Sequence, residues 1–127
     1  MSADFPSVPG QSLVILAVDD DVLVQMNTVA MLEDLGHTVV EASNGAQALE
    51  LVRSRPDIDL IITDQAMPHM TGKDLALAVA KERPGLPVII ATGYAELPSS
   101  APDAVIRLPK PFDVDDLAHA IAQATAV

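Results

Sequence analysis

The feature that most constrains this chain is an alternation of two textures that begins at Leu13. Short, nearly continuous apolar runs are followed by longer stretches in which apolar residues recur at helical spacing. The runs occupy residues 13–18, 38–41, 60–63, 88–91 and 105–108. The first, third and fourth are almost unbroken, the pattern of strands buried on both faces of a parallel sheet. The second alternates and the fifth is interrupted by Arg107, so each is expected at a sheet edge. Helical spacing predicts a helix over 22–35, stopped by Gly36, a residue that commonly ends helices. A second is expected from Asn44, a suitable cap, toward Pro56, and a third over 73–82 ahead of Pro84-Gly85. The last should begin at Asp113, with Asp115 and Asp116 in a first turn where negative charge suits the helix dipole. Strand alternating with helix implies a three-layer α/β fold, a doubly wound parallel sheet with right-handed crossovers. Residues 93–104 contain Pro98 and Pro102 and leave room for one or two helical turns, so the fourth helix should be short or irregular. Residues 1–11, with two prolines and a glycine, are expected to form a flexible leader, and 12–127 a single domain.

Composition narrows the function classes. The chain has 127 residues, half of them apolar, which suffices for one domain with a real core. Its net charge is −11 and its seven basic residues are scattered. That argues against nucleic acid as a direct partner, because phosphate backbones are bound through clustered Lys and Arg. Cysteine is absent, so neither a disulfide nor a thiolate metal site can form. The longest apolar stretches run five or six residues, against the roughly 20 needed to span a bilayer. The first ten residues carry no signal-peptide pattern. A cytoplasmic domain with no membrane partner is the expectation.

In an open parallel sheet, ligands bind outside the carboxyl ends of the strands. The first strand runs into Asp19-Asp20-Asp21, the third into Asp64, the fourth into Thr92 and the fifth into Lys110. Each residue alone has an ordinary explanation. An acid after a strand often caps the next helix, as Asp21 could, and an acid before a turn is often just a turn residue. Together they make a chemical set. Crowded carboxylates resist joint ionisation, and a hard divalent cation such as Mg2+ relieves them while bridging to phosphate oxygens. One carboxylate can then attack phosphorus to give an aspartyl phosphate. The ion and a lysine stabilise the charge on the transferring group, and a threonine hydroxyl can bond another of its oxygens.

The segments Val18-Asp19-Asp20-Asp21, Thr63-Asp64-Gln65-Ala66-Met67-Pro68-His69-Met70-Thr71-Gly72, Ala91-Thr92-Gly93 and Leu108-Pro109-Lys110-Pro111-Phe112 resemble the response-regulator receiver domain of two-component signalling. The resemblance runs from about Leu13 to the C-terminus. It implies a five-stranded (βα)5, flavodoxin-like sheet in the order 2-1-3-4-5. It casts Asp64 as the phosphoacceptor, Asp20 as the direct Mg2+ ligand, Asp19 as a ligand through water, and the Ala66 carbonyl as a further ligand. Thr92 becomes the switch hydroxyl and Lys110 the lysine that pairs with the phosphoryl group, with a cis bond to Pro111. The implied donor is a histidine kinase or histidine phosphotransfer protein. The implied output is contact with a downstream protein effector, with limited self-phosphorylation and autodephosphorylation.

Two positions depart from the family pattern. Arg107 stands three residues before the lysine, where the family usually has Tyr or Phe. The Ala91-Thr92-Gly93-Tyr94 run resembles a subgroup with a reduced fourth helix and also receivers of hybrid kinases, and Tyr94 is expected to replace part of the missing aromatic switch. His37, His69 and His119 are expected at a strand start, a surface loop and an exposed helix face. Two other functions compete. Asp19-Asp20-Asp21-Val22 fits the Asp-x-Asp-x-Val pattern of haloacid-dehalogenase-like phosphatases, but the chain is short for that core and Asp64-x-x-Met-Pro stays unexplained. A pseudo-receiver that never takes phosphate should have lost an acid of the pair, the acceptor or the lysine, and all are present.

Overall fold

The computed structural model describes residues 12–93 and 105–125. The expected leader, Tyr94 and the expected short fourth helix lie outside the described residues. Five strands form one parallel sheet: β1 (Val14–Val18), β2 (Thr38–Ala42), β3 (Leu60–Asp64), β4 (Val88–Thr92) and β5 (Val105–Pro109). Their order is β2-β1-β3-β4-β5, so the alternating run and the interrupted run are the two edges. Four described helices accompany them: α1 (Val22–Asp34), α2 (Gly45–Ser54), α3 (Gly72–Glu82) and α4 (Val114–Thr125).

Strand parity divides the apolar runs between two cores. Leu16, Val18, Ile61, Val88 and Ile90 pack with Ala48 and Val52 of α2 and Leu75 and Val79 of α3. Ile15, Ala17, Leu60, Ile62 and Ile89 pack on the other face with Leu32 of α1 and Leu117 and Ile121 of α4. All five residues of β3 and of β4 are buried, which is why those runs show no polar alternation. Each fully buried Leu or Ile here contributes about 1.5–3 kcal/mol relative to exposure, so both faces hold the sheet.

Helix ends are set by local side chains. Asp21 caps α1, its carboxylate accepting from the Leu23 and Val24 amides at 2.9 and 3.1 Å. Asn44 caps α2 through the Gln47 amide at 2.8 Å. Thr71 and Asp74 form a reciprocal capping box on α3. Asp113 and Asp116 exchange the same pair of bonds at the start of α4. Past α1, Gly36 sits at φ 93°, in the left-handed region that favours glycine.

The N-terminal half of α1 departs from the usual amphipathic pattern. Its inward positions are Gln25 and Thr28, ahead of Leu32. Val22, Leu23 and Met26 face solvent, Leu23 with 77% of its surface exposed.

Candidate functional site: a carboxylate pocket at the sheet edge

The parallel registers bring the strand ends level. Val18 pairs with Ala42 and Thr63, Asp64 with Ala91, and Thr92 with Pro109. Backbone bonds extend the alignment past the strands: Asp19 N–H to Ala42 O at 3.2 Å, Gln65 N–H to Ala91 O at 3.0 Å and Lys110 N–H to Thr92 O at 2.9 Å. Asp19, Asp64, Thr92 and Lys110 therefore meet although they belong to four different strand ends.

Asp19, Asp20 and Asp64 each offer a carboxylate oxygen, and those oxygens lie within 4.8 Å of one another. The triple aspartate is thereby divided: two members join Asp64, and Asp21 caps α1. Lys110 Nζ donates to Asp64 Oδ1 at 2.5 Å, an ion pair whose carboxylate side chain is 9% exposed and whose ammonium side chain is 36% exposed. Burial pushes the Asp19 carboxyl above its ordinary value. The Asp21 amide, which donates to Asp19 Oδ1 at 2.9 Å, opposes that rise. Repulsion from Asp64 and Asp20 adds to the rise, and Lys110 offsets part of it.

Thr92 is buried, and its hydroxyl donates to the Gly93 carbonyl at 2.9 Å. Ala66 lies exposed in the loop two residues beyond Asp64. The Lys110–Pro111 bond is cis, as expected. Arg107 is exposed on edge strand β5. His37 is half-buried, accepting the Leu13 amide on Nδ1 at 3.1 Å, whereas His69 and His119 are exposed.

The donor set fits a small divalent cation. Octahedral Mg2+ with arms of about 2.1 Å places its oxygens roughly 3 to 4.2 Å apart, close to the spacing found among the three carboxylates. One lysine against three acids leaves negative charge for such an ion to neutralise. A groove of about 260 Å³ opens beside the acids, between Val22 and Met26 of α1 and Ser43 and Gln47. A cavity of about 20 Å³, room for one water, lies behind Asp64 and is lined by Gln25, Thr28, Lys110 and Phe112 among others.

Sequence reasoning passed over two buried polar residues here. Gln25 Nε2 donates to the Ala17 and Ala42 carbonyls at 2.9 and 3.2 Å, pinning α1 to the ends of β1 and β2. The available signal was its spacing to Thr28 and Leu32, which puts all three on one helix face. Gln65 accepts the Lys73 amide on Oε1 at 2.8 Å. No local pattern announces that bond.

Such a fold and pocket define a doubly wound α/β domain with three clustered carboxylates and one lysine at the carboxyl edge of its sheet. Comparison with known proteins gives the family. Residues 15–122 match the response regulator receiver domain, and the chain belongs to that family of two-component signalling domains. It is 34% identical over 119 residues to the sensor kinase CckA of Brucella abortus (strain 2308), covering 88% of this chain and 12% of the kinase. It is 37% identical over 118 residues to the transcriptional regulatory protein GlrR of Escherichia coli (strain K12), covering 87% of this chain and 26% of the regulator. The chain thus spans about an eighth of the one relative and a quarter of the other. Among solved structures, a response regulator receiver domain protein from Clostridium thermocellum superposes with a TM-score of 0.82 at 32% identity, over 88% of this chain and 93% of that one. The receiver domain of the hybrid histidine kinase CckA superposes at 0.75 with 31% identity, over 87% of this chain and 97% of that one. The chain is a signalling domain homologous to the phosphoacceptor domains of response regulators and hybrid kinases.

Proposed function

We propose that Asp64 accepts a phosphoryl group from a phosphohistidine, with Mg2+ held by Asp19, Asp20, Asp64 and the Ala66 carbonyl. The observation that carries this is the ion pair between Lys110 and Asp64 inside the three-carboxylate cluster. An Asp64 oxygen attacks phosphorus, the bond from phosphorus to the imidazole nitrogen breaks, and its electron pair stays on the imidazole. Mg2+ held by these residues would supply positive charge to the transferring oxygens. Lys110 offsets the charge of Asp64 beforehand and that of the phosphoryl group afterwards. Thr92, whose hydroxyl is turned onto Gly93 O, gains a stronger acceptor once phosphate is present, and its reorientation is the switch.

The donor in this reading is a histidine kinase or histidine phosphotransfer protein, and the output is a protein effector. The exposed Val22, Leu23 and Met26 beside Asp20 give such a protein an apolar footing. Among the described residues no helix is long and apolar enough to cross a membrane; a cytoplasmic setting is part of the same proposal, because it is where a phosphohistidine donor of this kind would meet the domain. We place the domain at 12–127, with turnover at Asp64 limited to self-phosphorylation from small donors and autodephosphorylation. The test is phosphorylation from a small phosphodonor with Mg2+, followed by borohydride reduction and peptide mapping. Label at Asp64 is expected. Label at Asp19 would restore the dehalogenase-like phosphatase alternative, and no label at all would favour the pseudo-receiver.

A further inference from the structure

Gln65 contributes no oxygen to the carboxylate cluster, yet the loop behind the acceptor is tied through it. Its side chain is in a residue only 7% exposed. Its N–H donates to Ala91 O at 3.0 Å, beside Thr92. Its carbonyl accepts from both Met67 N–H and Gly72 N–H at 3.1 Å. Its Oε1 accepts from Lys73 N–H at 2.8 Å. The first three amides of α3 thus go to Gln65 O, Gln65 Oε1 and, for Asp74, Thr71 Oγ1 at 3.2 Å. Two of these otherwise orphaned helix donors are satisfied by the residue directly after Asp64.

The bond from Met67 carries the consequence. Met67 N–H and Ala66 C=O belong to one planar peptide unit and point in opposite directions. Holding that N–H on Gln65 O therefore sets the direction of the Ala66 carbonyl. Gln65 is itself held by its N–H on Ala91 O and by the Gly72 amide on its carbonyl, and its side chain adds a third tie by reaching across to the Lys73 amide of α3. Gly72 leaves the space for that reach: a Cβ there would lie 3.1 Å from Gln65 Cα and 3.2 Å from Gln65 Oε1.

We infer that Gln65 is a positioning residue for the divalent-ion site: its side-chain oxygen, by capping α3, aims the Ala66 carbonyl as a ligand. This rests on the phosphoacceptor reading of the same pocket. Supporting groups of this kind typically change metal affinity 10- to 100-fold when removed.

The test uses the full chain, with Gln65→Met, which keeps length but removes the oxygen, and Gln65→Glu, which restores an oxygen. Mg2+ affinity is read from amide shifts in an NMR titration, and the helix cap from hydrogen exchange at the Lys73 amide. In Q65M we expect Mg2+ affinity to fall about tenfold or more and Lys73 exchange to accelerate. In Q65E both should return toward wild type. Where Q65M does not fold, Gln65→Asn, whose amide is one methylene short of α3, should show the same two losses. Wild-type Mg2+ affinity in Q65M or Q65N overturns the inference, as does weakened affinity with an unchanged Lys73 amide. Recovery of affinity in Q65E without recovery at Lys73 overturns it too, since added charge alone would then explain the gain. A wild-type protein that binds no Mg2+ overturns the phosphoacceptor reading and this inference together.

Discussion

Replacing Gly72 by alanine should damage the domain at its chemical centre, although helix propensity argues the other way. Gly72 is the first residue of α3. Within a helix interior, alanine is favoured over glycine by about 1 kcal/mol, and somewhat less is expected at the first position. Against that, the new Cβ would lie 2.7 Å from the backbone carbonyl oxygen of Asp64. An ordinary contact begins near 3.4 Å, so the end of β3 or the start of α3 must move by about 0.7 Å. The obstructing atoms are mainly backbone, and β3 is buried along its whole length between β1 and β4. Overpacking of this kind costs about 1–3 kcal/mol. The net loss should be about 1–2 kcal/mol, or a fall in Tm of roughly 4–8 °C for a domain of this size. Because the strain falls on Asp64 itself, phosphorylation from a small phosphodonor should slow by about tenfold or more, in line with the sensitivity of reactive geometry to ångström displacements. Gly45→Ala is the internal control. There the new Cβ meets only side-chain atoms of Met70: Sδ at 2.5 Å and Cγ at 2.9 Å can rotate aside, and Cβ at 3.0 Å need give by only a few tenths of an ångström. Thermal denaturation and phosphorylation kinetics on both variants decide the matter. A G72A protein as stable as wild type, or one harmed no more than G45A, would refute the reasoning.

Two further substitutions probe the charges. In Asp19→Asn, the buried carboxyl whose pKa is raised by burial is removed while an oxygen for the Asp21 amide remains. A raised acid costs stability as pH rises from its ordinary value of 3.8 through its folded value, so D19N should be more stable than wild type at neutral pH without Mg2+, yet gain less from added Mg2+, both read by denaturant melts. His37 has its pKa lowered by burial, and its Nδ1 accepts the Leu13 amide, which only the unprotonated nitrogen can do. Its contribution is present above the ordinary value of 6.5 and lost as pH falls through the lowered folded value. The loss should approach one hydrogen bond, about 1 kcal/mol, and His37→Asn, which keeps an acceptor without titrating, should flatten that part of the pH–stability curve. An unchanged slope would discount the bond.

What could be read from the residues, and what could not, follows from the range of the interactions. The strands were legible because β1, β3 and β4 are buried on both faces and need unbroken apolar runs, while β2 and β5 betray their edge positions through Glu41 and Arg107. Asp19, Asp20, Asp64, Thr92 and Lys110 could be grouped because parallel strands deliver their carboxyl ends to one edge, and that edge is where the structure brings them together. Asp21 was ambiguous until its bonds to Leu23 and Val24 assigned it to α1. The spacing of Gln25 to Thr28 and Leu32 marked its face of α1, but the bonds of Gln65 and Gln25 were illegible for a common reason. Their partners lie eight residues or more away, and the bonds exist only once helix and strand have docked. In α1 the usual rule fails outright, since Gln25 and Thr28 turn inward while Val22, Leu23 and Met26 face water.

The pairing of Asp64 with Lys110 joins positions 46 residues apart. During synthesis, which releases the N-terminal part first, Asp19, Asp20 and Asp64 leave the ribosome well before the strand that delivers their countercharge. A nascent chain that has passed residue 64 holds the acids without the cation, and β4 and β5 must both dock before the ammonium arrives. The ion pair at Asp64 therefore forms only after β5 has docked, and a chain stalled or cut short ahead of β5 keeps its clustered acids without their lysine.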